Sequence, residues 1–332
     1  MDMNKCRVYY YPPASKGGYA NPYSINYKKV LERYFEVLDR ENRPSFALGL
    51  SFLLNAFRAD IYIINWLESV VFLSMGRMQY IFARLGLWII KRRKKIIVWM
   101  FHNIHPHQGE NASSRKIQSI LYDSADLVIS HSWEAAAFAK NKAKGQVLYV
   151  CHPVKPLHIK PMKTTVNSDV LIWGAISPYK GVEEFLHEVR KRNSDLSIHI
   201  VGKCNEPLLA ESIQKLCGKN ILFENRRASF EELAGLMQHS KYVLFPYTGD
   251  CVSSSGALID TIALGGCPIG PNKGAFKDLA EEGVCTVYQD YDELFSILGK
   301  PSHFNNSKMT EFSARNSWDA FADILYKNLQ KC

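Results

Sequence analysis

The sequence predicts an α/β protein with two Rossmann-like domains, each a doubly wound parallel sheet, that face a central cleft. Short apolar runs alternate with helical segments along the chain, which is typical of parallel sheets covered by helices on both faces. The alternation stops at residues 155–169, where two prolines and little apolar periodicity indicate a linker, and then starts again. The chain of 332 residues is long enough for two domains of ordinary size.

The first domain is predicted to span residues 1–155 and to contain five strands. These strands are predicted at 6–11, 59–66, 94–101, 125–132 and 145–153, with helices between them that include 24–40 and 133–140. Parallel strands separated by helices place their carboxyl ends at one edge of the sheet, and ligands of such folds bind at that edge. The loops that follow the strands are therefore where function must be sought.

The second domain is predicted to span residues 156–312 and to repeat the alternation. Its strands are predicted at 170–175, 196–202, 220–225, 241–246, 267–270 and 285–288. Its helices are predicted at 181–192, 207–217, 229–239, 254–264 and 275–282. A helical stretch at 313–330 follows, and we expect the segment 313–332 to pack back on the first domain.

Composition favours a cytoplasmic protein with anionic partners. The net charge is +9 and the sequence pI is near 9.0, which favours phosphorylated ligands, anionic lipid or nucleic acid. No recognised nucleic-acid motif appears, so we expect no nucleic-acid partner. The eight cysteines include no C-x-x-C pair, and the N-terminal residues lack the apolar stretch of a signal peptide, so reduced thiols in the cytoplasm are expected.

The strongest basic run, Lys91 to Lys95, follows an apolar and aromatic stretch at 69–90. Arg77, Gln79 and Arg84 interrupt that stretch, so no clean membrane span is predicted. Two interpretations remain open. The stretch is either a helix on a membrane surface with its cations beside anionic headgroups, or a buried amphipathic helix followed by a solvated turn. The first would add peripheral contact with the inner face of the plasma membrane.

The loop after the first strand of the second domain, WGAISPYKGVEEF (173–185), carries a lysine where a helix begins. A lysine at a helix start opposes the helix dipole. It becomes favourable if an anion lies there, because the ammonium and the free backbone amides then face the anion together. Lys180 is therefore a candidate phosphate ligand. The alternative is a surface lysine that happens to begin a helix.

A second loop, FPYTGDCVSSSGALIDTIALGGCPIG (245–270), has a helix start suited to a diphosphate. Three serines, Ser253 to Ser255, lead into the helix and can cap its amides, and Gly256 leaves room for a ligand. Asp260 follows about 10 Å along the helix axis, where it could bind ribose hydroxyl groups. The alternative is an ordinary capped helix with one exposed aspartate.

The stretch FHNIHPH (101–107) contains three histidines at the end of a predicted central strand. Their H-x-x-H-x-H spacing matches no standard zinc site, and no metal is predicted there. His102 ends the strand and can enter the cleft, where it could contact a sugar or handle a proton. A D-x-D string, Asp290 to Asp292, precedes an apolar helical pattern and is interpreted as a helix start.

Taken in order, these motifs resemble the GT-B glycosyltransferases, and specifically the retaining family 4 of bacterial surface-polysaccharide type. The resemblance spans nearly the whole chain. It is carried by SKGGYANPY (15–23), FHNIHPH (101–107), ADLVISHS (125–132), GAISPYKG (174–181), the Pro-Tyr strand end and SGALIDTIALGGCPI (255–269).

The resemblance implies a role for each matching residue. Lys180 would neutralise the donor diphosphate and, with His102, act at the catalytic centre. Gly17 and Gly18 would let the first-domain loop approach the diphosphate. The remaining donor ligands would be Ser254, Ser255, Gly256 and Asp260, with Asn225 and Arg226 near the base. The acceptor would be contacted by His102, Asn103, His105 and His107.

Two positions depart from the family pattern. The place of the first acid of the E-x7-E motif is taken by Val252, although Asp250 is close in sequence. Residues 175–179 also contain no arginine before the Lys-Gly pair, where many members have one. Both departures weaken the sugar-binding and leaving-group roles.

The resemblance therefore implies a metal-independent hexosyltransferase that moves a sugar from a UDP- or GDP-linked donor to a saccharide acceptor carried on a lipid, with retention at the anomeric carbon. The nucleotide sugar would be a co-substrate, and no cofactor is expected. Two alternatives remain: a non-catalytic GT-B-like subunit that supports a partner glycosyltransferase, which the departures favour, and a sugar-nucleotide epimerase, which the scarcity of loop carboxylates disfavours.

Overall fold

The computed structural model describes residues 6–13, 21–38, 44–102, 104, 111–155, 157, 159–249, 252–301 and 306–330. The chain forms two compact units. The first unit consists of Met1–Cys151 with Trp318–Cys332, and the second of His152–Ser317. Each contains one six-stranded parallel sheet flanked by helices, which confirms the predicted class of two Rossmann-like domains. Residues 152–155 and 313–317, which we expected in the first domain and in the closing segment, fall in the second unit.

The first sheet has the strand order β2-β1-β3-β4-β5-β6. Its strands are β1 (Arg7–Tyr11), β2 (Glu36–Val37), β3 (Ile61–Asn65), β4 (Ile96–Met100), β5 (Leu127–Ser130) and β6 (Gln146–Tyr149). Its helices are α1 (Pro22–Leu31), α2 (Leu48–Asn55), α3 (Gly76–Arg92), α4 (Ala112–Ser124) and α5 (Trp133–Lys140). All five strands predicted for this half are present, and β2 is an additional edge strand.

The second sheet has the strand order β12-β11-β10-β7-β8-β9. Its strands are β7 (Ser168–Trp173), β8 (Ile198–Val201), β9 (Ile221–Glu224), β10 (Ser240–Leu244), β11 (Pro268–Pro271) and β12 (Thr286–Tyr288). Its helices are α6 (Val182–Lys191), α7 (Pro207–Leu216), α8 (Phe230–Gln238), α9 (Gly256–Ala263), α10 (Gly274–Glu281), α11 (Tyr291–Leu298) and α12 (Asn306–Arg315). The last helix, α13 (Trp318–Leu329), returns to the first unit.

The predicted helix at 24–40 was wrong in its second half. Helix α1 ends at Leu31, and the chain turns so that Phe35 is buried in the core. The backbone N–H groups of Glu36 and Leu38 then donate to the carbonyls of Cys6 and Val8 at 3.1 and 2.7 Å. Pairing with β1 thus overrides the helical periodicity of this segment, because propensity is only a weak constraint.

The closing helical stretch, predicted as one helix at 313–330, is divided between α12 and α13. Ser317 forms a parallel bridge with Val154, and the Val154 N–H donates to the Asn316 carbonyl at 2.8 Å. Residues that pair in this extended way cannot continue an α-helix. Beyond the break, Trp318 packs edge-on against Tyr23 of α1, with ring centroids 5.3 Å apart.

Helix α3 is amphipathic and buries the face that contains Gln79, Ala83, Leu87 and Ile90. It covers the same face of the first sheet as α2, because both helices contribute to one core cluster with Tyr9 and Tyr11 of β1. None of the helices in the described ranges is both long enough and apolar enough to cross a bilayer.

Candidate functional site

The loops after β7 and β10 meet at the carboxyl edge of the second sheet. These strands are neighbours in the sheet, so their carboxyl ends lie side by side. The first loop turns at Gly174, which has a left-handed φ of +102°, and forms a short 3-10 turn over Pro178–Lys180. The Thr248 N–H of the second loop donates to the Tyr179 carbonyl at 3.1 Å, which joins the two loops directly.

Gly181 is the residue that lets the two loops come so close. Its φ is +66°, a left-handed conformation that side-chain-bearing residues rarely adopt. A β-carbon at this position would also collide with the Pro246 carbonyl oxygen. The Lys-Gly pair of the sequence motif is therefore explained by the backbone: glycine permits the contact, and the contact places Lys180 beside the second loop.

Lys180, Tyr247 and Ser255 form a connected chain of polar groups. The Lys180 ammonium donates to the Tyr247 hydroxyl, and that hydroxyl lies 3.1 Å from Ser255 Oγ. Ser255 is the N-cap of α9 and accepts a hydrogen bond from the Leu258 N–H at 3.3 Å. The cation is thereby tied to the start of the helix.

The Lys180 cation is held by aromatic rings. Its Nζ lies 3.8 Å from the ring centroid of Tyr247 and 5.0 Å from that of Tyr179. Burial lowers the pKa of Lys180, although its interactions with Tyr179 oppose that shift. Among the residues that the structure describes, no carboxylate forms an ion pair with it. A partly desolvated cation of this kind gains free energy from an incoming anion.

The start of α9 faces open space. A β-carbon on Gly256 would meet no other atom within 4 Å, and within the described ranges nothing accepts from the backbone N–H groups of Gly256 and Ala257. Ser253 is fully buried, Ser254 is half-buried, and Ser255 is occupied with the cap. A helix start with unpaired amides beside a cation has the electrostatics of an anion site.

Asp260 lies farther along α9 as a half-buried carboxylate. Burial raises its pKa to about 6, and the charge of Lys155 only partly offsets the increase. In the described part of the chain no group donates a hydrogen bond to it. A desolvated carboxylate without a donor is unfavourable in the folded state by itself, and this is often found where a ligand supplies the missing donors.

Asn225 and Arg226 lie at the same edge of the sheet, after β9. The Asn225 side-chain oxygen accepts from the Cys204 N–H at 3.0 Å, so it joins the loops after β8 and β9. The Arg226 guanidinium donates to Glu224 at 2.8 Å and to Glu232 at 2.9 Å, and these carboxylates raise its pKa. Their predicted contact with a nucleotide base stays a prediction.

In the first unit, His102 follows β4 and is 7% exposed. Its ring stacks on Trp66 with centroids 4.4 Å apart and planes inclined by 17°. Its Nε2 lies 2.9 Å from the Asn65 oxygen, while the Asn65 amide nitrogen donates to the Tyr11 carbonyl at 3.0 Å. That second bond orients the amide, so Nε2 must be the donor. In neutral His102, Nδ1 is therefore the basic nitrogen.

A second buried histidine supports this cluster. His131 Nδ1 donates to the Val150 carbonyl at 2.7 Å, so its Nε2 accepts from the Tyr23 hydroxyl at 2.8 Å. Burial lowers the pKa of His131 to about 4, which keeps the ring neutral. The rings of Tyr23 and His102 meet edge-on at 5.3 Å. Histidine and tyrosine are thus packed together at the carboxyl end of β4 and β5.

Several predicted site residues lie outside the described residues: Gly17, Gly18, Asn103, His105 and His107. Within the described ranges, no group of three or more histidine, cysteine, aspartate or glutamate side chains could hold a metal ion. The interpretation of Asp290 is confirmed: it is the N-cap of α11 and accepts from the Glu293 N–H at 2.9 Å.

Sequence reasoning did not single out Tyr247, Asn65 or Trp66. Tyr247 was noted only as part of a Pro-Tyr strand end, and its contact with Lys180 depends on the neighbouring strand β7. Trp66 has a left-handed φ of 52°, which is strained for a tryptophan and places its ring beneath His102. Local sequence carries no signal for such a contact.

Comparison with known proteins gave structural matches only. No protein-family model and no curated protein sequence matches the chain. HepE from Anabaena, solved with UDP and glucose, matches with a TM-score of 0.71 and 15% identity over 98% of this chain and 100% of HepE. Sucrose-phosphate synthase from Thermosynechococcus elongatus matches with a TM-score of 0.74 and 13% identity over 98% of both chains.

The lipopolysaccharide outer core galactosyltransferase WaaB in its apo form matches with a TM-score of 0.64 and 10% identity, over 97% of this chain and 99% of WaaB. At these identities the likeness concerns the fold. It extends over both units and agrees with the GT-B type of fold that the sequence motifs implied.

Proposed function

We propose that the protein is a glycosyltransferase that moves a sugar from a nucleoside-diphosphate donor to a saccharide acceptor. The observation that carries the proposal is the junction of Lys180, Tyr247 and Ser255 at the open start of α9. It combines a cation without a carboxylate partner in the described ranges with unpaired helix amides, which is suited to a diphosphate. The structures of HepE with UDP and with UDP-glucose support the choice of ligand.

In the proposed reaction, the bond between the anomeric carbon and the diphosphate oxygen breaks, and its electron pair stays on the diphosphate. A new bond forms between that carbon and an acceptor hydroxyl oxygen, and the proton of that hydroxyl passes to the departing diphosphate oxygen. Lys180 and the amides of α9 stabilise the charge that develops on the leaving diphosphate. We propose that these groups take the place of a metal ion and that the anomeric configuration is retained.

Asp260 is assigned to the ribose of the donor. Ribose hydroxyls would donate to its carboxylate and so satisfy a group that has no donor within the described ranges. His102 is assigned to the acceptor or the transferred sugar, as a group that orients it or handles a proton. The Asn65 oxygen and the Trp66 ring hold the imidazole in place.

The acceptor is proposed to be a saccharide carried on a lipid, as in the assembly of bacterial surface polysaccharide. The protein would then work in the cytoplasm, in peripheral contact with the inner face of the plasma membrane. The basic charge of the chain and the basic run after α3 support this part of the proposal.

A non-catalytic subunit is the second candidate, and Val252 favours it. Val252 stands at the first acidic position of the family motif, is 6% exposed, and its carbonyl accepts from the Ala275 N–H at 2.8 Å. An apolar buried residue therefore replaces a carboxylate that the resemblance places near the sugar. Such a subunit would bind nucleotide without turnover, or bind none.

The first test is thermal unfolding of the pure protein with UDP, GDP, CMP or ADP. A ligand that binds only the folded state raises its stability by RT ln(1 + [L]/Kd), so even weak binding is visible at high concentration. We expect one diphosphate to raise the melting temperature, and both Asp260→Ala and Lys180→Met to reduce the increase. Lys219→Met, at an exposed lysine before β9, is the matched control.

The Lys180→Met variant also separates the diphosphate from the nucleoside. Binding of UDP should weaken, whereas any binding of uridine should be unchanged, because the cation acts on phosphate. If no nucleotide raises the melting temperature, the interpretation of the α9 loop as a diphosphate site is overturned. A shift without transfer to any lipid-linked saccharide would favour the non-catalytic subunit.

A further inference from the structure

Helix α3 presents an outer face of apolar and basic side chains. Its exposed positions recur every three or four residues, opposite the buried face, as expected for one side of a helix. They are Arg77, Met78, Ile81, Arg84, Leu85, Trp88, Lys91 and Arg92. Trp88 is 60% exposed. An ordinary surface helix carries polar residues of both charges here, so this composition needs an explanation.

Helix α2 extends the same surface. The exposed apolar residues of this segment are Phe46 in the short 3-10 turn before the helix, Leu50 and Leu54 in the helix, and Phe57 just after its end. The two helices lie side by side, because the Gly49 N–H donates to Gln79 Oε1 at 2.9 Å and Arg93 donates to the Ala56 carbonyl at 3.0 Å. Their inner faces share one core, so their outer faces point away from it together.

We name this the α2–α3 surface, formed by the exposed apolar residues Phe46, Leu50, Leu54, Phe57, Met78, Ile81, Leu85 and Trp88 and by the cations Arg58, Arg77, Arg84, Lys91, Arg92, Arg93 and Lys94. The sequence contains no aspartate or glutamate at 42–59 or at 69–109. Cations and rings are interleaved: Arg92 lies 6.0 Å from the Trp88 ring centroid, and Arg93 lies 5.8 Å from that of Phe57.

We infer that the α2–α3 surface docks the first unit on an anionic lipid bilayer. Apolar and aromatic side chains can enter the boundary between headgroups and acyl chains, while the surrounding cations lie among anionic headgroups. The inference rests on the proposed function, because an acceptor carried on a lipid would require the protein to act at a membrane. The surface itself is independent of the nucleotide site.

A second copy of the chain fits this surface less well. A two-fold symmetric contact would place the same patch on both sides, so cations would face cations with no acidic residue to compensate. Anionic headgroups supply the missing charge. Eight exposed large apolar side chains on one surface, if left uncovered, would also be unusual for a monomeric soluble protein.

The test is flotation of the full chain with vesicles of phosphatidylcholine alone, or of phosphatidylcholine with phosphatidylglycerol, without nucleotide or acceptor. We expect binding only to the anionic vesicles, and weaker binding at high salt. Tryptophan emission should shift to shorter wavelength on binding, and Trp88→Phe should remove most of that shift while preserving binding.

Two variants test the two halves of the surface. Leu54→Ser/Trp88→Ser should lose vesicle binding, because both positions are exposed and their apolar contact is removed. Arg84→Gln/Lys91→Gln/Arg92→Gln should bind roughly a hundredfold more weakly, at about fivefold per cation near an anionic surface. The matched controls in the second unit are Leu208→Ser/Leu222→Ser and Lys203→Gln/Lys219→Gln/Lys300→Gln, all at exposed positions.

Absence of binding to anionic vesicles, or equal losses in surface and control variants, would overturn the inference. So would a wild-type dimer that Leu54→Ser/Trp88→Ser disperses without any vesicle binding, because the surface would then belong to a second copy. Failure of the proposed function is distinguishable, since it shows as absent nucleotide stabilisation in the thermal experiment and leaves vesicle binding intact.

Discussion

Asp260 lies where a carboxylate lowers the stability of the fold. Its pKa, raised by burial from 3.8 to about 6, means that the folded state holds its proton more tightly than the unfolded state does. Between these pH values the folded state binds more protons than the unfolded state, so the free energy of unfolding decreases as the pH rises. The stability associated with the protonated carboxyl group is therefore present at low pH and is lost as the pH rises through about 6. A carboxylate that is retained although it lowers the stability of the fold is a candidate ligand-binding group.

Replacement of this residue should therefore separate stability from binding. Asp260→Asn is expected to raise the free energy of unfolding by about 1 to 3 kcal/mol above pH 6, and to leave it nearly unchanged below about pH 4. Urea unfolding across this pH range measures the difference, with exposed Asp195→Asn as the control. A stability gain that is independent of pH would contradict the explanation by burial.

His102 is fixed by the Asn65 amide and the Trp66 ring, so its role can be tested apart from nucleotide binding. His102→Ala should lower the rate of sugar transfer about a hundredfold or more, as expected for loss of an acid-base or orienting group, and leave stabilisation by nucleotide unchanged. Initial transfer rates at saturating donor, together with thermal unfolding, provide both readouts. The exposed His187→Ala is the control, and an unchanged rate for His102→Ala would exclude the role.

At the scale of elements, the contact between the β7 and β10 loops depends on one glycine. Gly181→Ala should lower the free energy of unfolding by about 2 kcal/mol or more, because the alanine would need a left-handed φ and its β-carbon would collide with the Pro246 carbonyl. The matched control is Gly218→Ala, which has open space around it. If both variants unfold at the same urea concentration, the close approach of the loops is not essential.

The strands were predictable from sequence because their signal is local. Each is an apolar run that is buried in a parallel sheet, and such runs persist whatever the neighbours are. The serines before α9 were also predictable, since helix capping follows from residue type, and Ser255 is the N-cap.

Features that depend on a distant partner were not predictable. The segment 24–40 follows helical periodicity, yet Glu36–Val37 pairs with β1. The helical stretch at 313–330 breaks where Ser317 pairs with Val154, a residue far away in sequence. The link from Lys180 to Tyr247 needs two strands to be neighbours in the sheet. A single sequence holds no direct record of these pairings.

At the scale of the whole molecule, α13 belongs to the core of the first unit. Phe321 is 2% exposed, and its ring centroid lies 5.0 Å from that of Tyr27. Phe321→Ala should destabilise the first unit by about 3 to 5 kcal/mol through the lost contacts and the cavity left behind. Hydrogen exchange of the full chain should then show faster exchange in α1 and β1 but not in β7 to β10.

The matched control reverses the pattern. Phe276 is fully buried in the second unit, so Phe276→Ala should accelerate exchange there and spare α1. Equal acceleration in both units by either variant would mean that they unfold as one cooperative body, and the assignment of α13 to the first core would lose its support.

The return of α13 to the first unit also determines when that unit can complete its fold during synthesis. The whole of His152–Ser317 is translated before Trp318 and Phe321, which takes on the order of ten seconds at ordinary elongation rates. During that interval Tyr23 and Tyr27 lack the rings that cover them in the finished molecule. The first unit therefore cannot complete its core until nearly the whole chain has been made.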